Sequence, residues 1–196
     1  MIEPIQPDGR SLAKGTLMRG WRDVLLKQRL LDAVLARLTP EVAAMLRDPP
    51  ASTEWVDVAF YECVAQAVCD QVGEQRLDPL FVDAQRTGWV ILLSRWLGGI
   101  VRVFGASPGA VLSRAEGAAK ANTVGFDLKW RPLTERSGEL VATYPYRPRI
   151  HPAAAWGTSS ACQLAADAVG ATMRRERPIV ESTPEGGSRV RVRVHW

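Results

Sequence analysis

Three observations predict an α+β fold, with N-terminal helices followed by a β-β-α-β-β order and an antiparallel sheet packed on helices. First, Arg189-Val-Arg-Val-Arg-Val-His-Trp196 alternates cationic and apolar side chains without a break. A strand has a side-chain period of two, so Val190, Val192, Val194 and Trp196 share one face and Arg189, Arg191, Arg193 and His195 the other. Second, the hydrophobic period changes after Asn122: Val124, Phe126, Leu128 and Trp130 alternate with Gly125, Asp127 and Lys129. Third, a run of small residues from Pro152 to Val169, closed by Gly170, reads as one helix between two strand-rich segments. Antiparallel pairs with helices on one face form a layered α+β body.

The elements follow in order. Residues 1–20 hold Pro4, Pro7, Gly9, Gly15 and Gly20 without a period and read as a partly extended N-terminal arm; a single domain follows over 21–196. From Trp21, the apolar residues Leu26, Leu30, Val34 and Leu38 recur every fourth position, as on one face of a helix. Thr39-Pro40-Glu41 restarts a helix, with Thr as N-cap, Pro at the first position and an acid in the first turn. A longer helix is expected over Glu54–Gly73, with Val58, Tyr61, Ala65, Val68 and Val72 inward and Glu54, Asp57, Glu62 and Asp70 on a solvated face. Asp78-Pro79 reads as a turn. Trp89–Phe104 is apolar all round and is expected to be a central buried helix. Ser107-Pro108 caps a further helix to about Ala121. The first hairpin pairs Val124–Trp130 with Leu140–Tyr144, and Pro145 and Pro148 end it. The second joins Thr172–Glu181 to Arg189–Trp196 through Pro-Glu-Gly-Gly.

Composition bounds the function. The chain has 196 residues, 46% apolar and 23% charged, as in ordinary globular proteins. Its 25 Lys+Arg against 21 Asp+Glu leave a net charge of +4. The surplus is arginine, in keeping with a GC-rich coding bias, so nucleic acid is not an expected partner. The cysteines Cys63, Cys69 and Cys162 have neither CxxC spacing nor an even count, against a disulfide framework or a zinc site. With no basic start, apolar leader or span, a cytoplasmic chain is expected. There is no GxSxG, HExxH, Walker loop or dinucleotide fingerprint, so no catalytic residue is assigned and an enzyme is not expected.

The segments Trp96-Leu-Gly-Gly-Ile-Val-Arg-Val-Phe-Gly-Ala-Ser-Pro-Gly109, Lys120-Ala-Asn-Thr-Val-Gly125 and Val190–Trp196 resemble a paralogous family of myxobacterial proteins. By topology that family is similar to haem-nitric-oxide-binding, vinyl-reductase-type and TRAPP-subunit domains. The resemblance implies an α+β body with a cavity between helices and sheet, used for gas sensing, small-ligand sensing or scaffold dimerisation. In the haem-binding members it implies an axial His on the helix before the first hairpin and a Tyr-x-Ser-x-Arg clamp after the second strand. Here Ser107–Ala121 contains no His, and the clamp position reads Tyr144-Pro-Tyr146-Arg147-Pro-Arg149. No haem, other cofactor or metal is therefore expected, and His151 reads as a residue at the start of the next helix. The TRAPP likeness implies a candidate lipidated cysteine in a helix-lined tunnel, Cys63, against the alternative that all three cysteines are small core residues.

Two functions remain. The first is a non-catalytic interaction or scaffold domain, a homodimer or a binder of another protein, resting on the apolar surplus of Trp21–Leu38. The second is a small-molecule sensor with an apolar pocket between Trp89–Phe104, the first hairpin and Pro152–Val169. Trp89 and Trp96, one heptad apart, would line that pocket. Tyr144, Tyr146, Arg147 and Arg149 would stand at its mouth and hold a small apolar or anionic ligand. The Arg189/Arg191/Arg193 row reads as a solvated sheet face that resists edge association.

Overall fold

The computed structural model describes residues 10–86 and 107–196. The helix expected over Trp89–Phe104, with Trp89 and Trp96, lies outside the described residues. Helices and antiparallel strands alternate as the α+β reading requires. Strand β1 (Leu12–Lys14) leads into α1 (Thr16–Lys27), α2 (Leu31–Leu35) and α3 (Pro40–Arg47). Strand β2 (Trp55–Asp57) runs straight into α4 (Val58–Val72), and a helix α5 covers 74–86. After α6 (Pro108–Leu112) and α7 (Ala115–Asn122) come β3 (Thr123–Val124), β4 (Asp127–Thr134) and β5 (Ser137–Tyr144). Helix α8 (Pro152–Ala168), β6 (Arg174–Arg175), β7 (Ile179–Ser182) and β8 (Ser188–His195) complete the chain.

The strands form two antiparallel sheets, a small one in the order β2-β1-β3 and a larger one in the order β4-β5-β8-β6, with β7 also on β8. The small sheet was not foreseen, because three strands of two or three residues carry no readable period. It draws Leu12–Lys14 into pairing with both β2 and β3. Residues 12–20 are thus part of the packed body, and Met18 on α1 is fully buried. The helix begins at Thr16, five positions before Trp21.

Several expected elements are interrupted, each for a local reason. The apolar stripe from Trp21 to Leu38 is two helices. Arg29 adopts a φ of 57°, and the N–H groups of Leu30 and Arg29 reach back to the carbonyls of Leu25 and Leu26 at 2.8 and 3.0 Å. Those two bonds close a Schellman motif, here built on Arg where Gly is usual. The expected helix over Glu54–Gly73 starts at Val58, because the Asp57 carboxylate caps it by accepting the Ala59 N–H at 2.8 Å. Asp78-Pro79 lies inside α5, where the Asp78 carboxylate is held by Arg175. Ser113 and Arg114 divide α6 from α7. The strand expected over Thr172–Glu181 is split by Pro178, which has no N–H for the ladder.

The predicted caps at Thr39 and Ser107 form, accepting from the N–H groups of Val42 and Ala110. The alternation of β8 holds too. Val190, Val192 and Val194 are buried, and Leu140 and Ala142 stand opposite Val192 and Val190. On the other face Arg191 pairs with Glu139 and Glu181, Arg193 with Glu139, and His195 with Glu176.

The core has two parts. One gathers α1 to α5 around Trp21, Leu25, Leu46, Val64, Val68 and Leu77. The other lies under the larger sheet, against α6, α7 and α8. Helix α8 serves both, giving Ala153 to the first and Ala155, Cys162, Ala165 and Ala166 to the second.

The chain passes from the small sheet to the large one through Gly125, whose φ is 75°. A Cβ there would stand 2.2 Å from the Arg10 carbonyl oxygen. The Gly125→Ala variant is expected to lose about 2 kcal/mol or more, from the positive φ and the clash together. Denaturant unfolding checks this, as a lower midpoint at unchanged slope.

Candidate functional site

A cavity of about 120 Å3 opens where the layers meet, between β1, α4, α5, α7, the β4–β5 hairpin and α8. Each wall follows from a local pattern. Helix α4 presents Val58, Tyr61 and Glu62, one turn of its inward stripe. The sheet supplies Leu128, Ala142 and Tyr144, alternate positions on one face. Helix α8 presents Ala154, Gly157, Thr158 and Ala161, whose small side chains leave the space. Phe81 and Gln85 close the α5 side, and Phe126 stacks on the Tyr144 ring with centroids 4.8 Å apart.

Polar groups enter this apolar space at few points. The Tyr144 hydroxyl bonds the Thr158 side chain, and burial holds its phenol well above the ordinary range. The Tyr61 hydroxyl donates to the Lys14 carbonyl at 2.8 Å. Gln85 Nε2 donates to the Gly157 carbonyl at 2.9 Å. Lys14 also borders the cavity, but its ammonium is directed to the Thr53 carbonyl at 2.7 Å and lies over the Trp55 ring.

Glu62 is the unusual member. Its Oε2 pairs with Arg147 at 3.0 Å, and Arg147 also reaches Asp57 at 3.3 Å. Glu62 Oε1 and Arg147 Nε are buried without a hydrogen-bond partner among the described residues. Burial lifts the Glu62 carboxyl above its ordinary range. The Arg147 guanidinium and the His151 N–H pull against that rise, while the Asp57 carboxylate adds to it.

The sequence-predicted residues divide accordingly. Tyr144 lines the cavity, and Arg147 stands beside it in an ion triad with Asp57 and Glu62. Tyr146 and Arg149 are exposed and do not line it. His151 is the N-cap of α8, its Nδ1 accepting the Ala153 N–H at 3.1 Å, as its position before Pro152 suggested. Cys63 is exposed; Cys162 is a buried core residue whose thiol burial pushes up to about 12. Among the described residues, no group of three His, Cys, Asp or Glu side chains could hold a metal ion, and no helix is long and apolar enough to cross a membrane.

Sequence reasoning placed Asp57 and Glu62 on a solvated face. Their side chains are only 27% and 13% exposed, turned toward Arg147. The available signal was that Glu62 follows Val58 by four positions and so shares its stripe.

The sign of the Glu62 effect is fixed. A carboxyl whose folded pKa lies above its unfolded value binds its proton more tightly when folded. Its stabilising contribution is complete below the unfolded pKa and lost as pH rises through the folded one. The Glu62→Gln variant is therefore expected to show a flatter decline of Tm than the parent chain as pH rises above the ordinary glutamate range, about 4.3. Thermal melts across that range check this.

No family model and no curated protein matches the chain. Solved structures do. A mutant of the T. tengcongensis H-NOX is 15% identical, with a TM-score of 0.62 over 93% of this chain and 96% of that one. An H-NOX structure solved to probe heme distortion is 14% identical, with a TM-score of 0.63 over 93% and 94%. An oxygen-binding H-NOX domain related to soluble guanylate cyclases is 14% identical, with a TM-score of 0.58 over 93% and 94%. At such low identity the likeness concerns the fold alone, and the fold is that of the H-NOX domains.

Proposed function

We propose that this domain is a small-molecule sensor on the H-NOX fold that takes a neutral, largely apolar ligand in its interlayer cavity, without haem. The cavity between helices and sheet carries this reading. Its volume, about 120 Å3, approaches the roughly 150 Å3 apolar cavity known to hold benzene.

The residues present do not fit haem. Its iron needs a His, Cys, Met or Tyr ligand. Helix α7, just before the first hairpin, has none, and neither His151 nor His195 is among the residues that line the cavity. The Tyr61 and Tyr144 hydroxyls are bonded elsewhere. Residues 87–106 contain none of the four types.

An anionic ligand fits little better. Lys14 is directed away and Arg147 is matched by two carboxylates, so the expected anion clamp has no spare positive charge. A neutral ligand with a hydroxyl or N–H donor suits the hydroxyls of Tyr144 and Thr158. Filling the cavity would press on α8, which touches both halves of the core. Occupancy could thereby be relayed between the layers.

The interaction-domain reading has weaker support. The apolar surplus at Trp21–Leu38 is largely buried, in Trp21, Leu25 and Val34. The large exposed apolar side chains, Leu26, Leu133, Tyr146 and Ile179, stand on four separate segments of the described chain.

Titration with phenol and indole, against benzoate as the charged control, tests the proposal. The neutral probes are expected to bind saturably and raise Tm, benzoate to bind about tenfold more weakly. The Ala161→Leu variant fills the cavity from α8 and is expected to fold while losing both neutral probes. Equal binding of benzoate, or undiminished binding by a folded Ala161→Leu variant, overturns it.

A further inference from the structure

A second recess lies apart from the interlayer cavity, between the β4–β5 turn, α6 and the end of β8. It encloses about 380 Å3. Trp130 and Trp196 form its apolar wall, with ring centroids 6.0 Å apart and planes tilted by 39°. Gly109 makes the room: a Cβ there would stand 3.1 Å from the Trp196 ring and 3.7 Å from the Trp130 ring.

The rim is acidic. Glu116 and Glu135 border the recess, and no Arg or Lys does among the described residues. Glu116 is matched by Lys120 at 2.9 Å, whereas Glu135 has no ion pair among the described residues. The neighbouring hydroxyls are already engaged. Ser107 accepts the Ala110 N–H, Ser113 donates to the Ala110 carbonyl, and Thr134 and Ser137 bond each other.

We propose that this recess binds a small alkylammonium ion. An indole face attracts a cation within about 6 Å of its centroid, and alkylated ammonium groups suit such sites because they shed water cheaply. With the two centroids 6.0 Å apart, one cationic head can lie within that reach of both rings. Glu135 adds a carboxylate for the charge. An anion would meet two like charges there, and a neutral ligand would leave the Glu135 charge uncompensated.

Titration calorimetry with choline, and with its neutral isostere 3,3-dimethylbutan-1-ol, tests this on the full chain. Choline is expected to bind saturably and to shift two tryptophan indole N–H resonances, with the isostere weaker by roughly tenfold. The Glu135→Gln variant, at an exposed position, is expected to weaken choline severalfold while retaining the fold. The Trp196→Leu variant is expected to abolish binding. Binding of the isostere as tight as that of choline, the absence of saturable choline binding, or unchanged affinity in Glu135→Gln overturns the proposal. These readouts do not depend on the interlayer cavity.

Discussion

Helix α8 is buried from two sides, and the rest of the fold is arranged around that constraint. It has the helical core on one flank and the larger sheet on the other. Small side chains let two layers approach one helix closely, and apart from Trp156 its first half reads Ala-Ala-Ala and Gly-Thr-Ser-Ser-Ala. The Phe81 ring lies 3.3 Å from where a Cβ at Gly157 would stand. The buried hydroxyls are accommodated within the helix: Ser160, for example, donates to the Gly157 carbonyl. The interlayer cavity arises from the same choice, because small side chains on α8 leave space that Phe81, Phe126 and Tyr144 do not fill.

Ion pairs fasten the layers where apolar contact is thin. Arg175 makes a bidentate pair with Asp78 at 2.7 Å on both oxygens and also reaches Ser159, joining β6, α5 and α8. Arg177 and Glu74 form a second fork nearby, and Glu74 also accepts the Trp156 indole N–H. The Arg147 triad joins the segment after β5 to β2 and α4. Planar guanidinium forks suit this work, since each holds a carboxylate in a defined orientation. Asp57 and Glu62 pair Arg147 beside the cavity, as Glu139 and Glu181 pair Arg191 and Arg193 on the β8 face.

The fold of the H-NOX domains is kept over most of this chain at 14–15% identity. Fold and function are separable because packing depends on the size and pattern of side chains, whereas a site depends on a few specific groups. The cavity of this chain combines aromatic walls with a buried carboxyl paired to arginine.

The order of elements was legible in the sequence because period and caps are local. The β8 alternation, the Thr39 and Ser107 caps, the α8 span and the first hairpin all rest on residues within a few positions of one another. What tertiary structure alone decided involves partners far apart in the chain. The short strands β1, β2 and β3 exist because they pair with each other. The Trp21–Leu38 stripe divides because Arg29 takes a left-handed turn that its residue type does not announce. Glu62 is a buried carboxyl because Arg147, brought back by the β5 strand, stands over it. The Trp130–Trp196 recess joins residues distant in sequence, and only the register of β4, β5 and β8 brings them together.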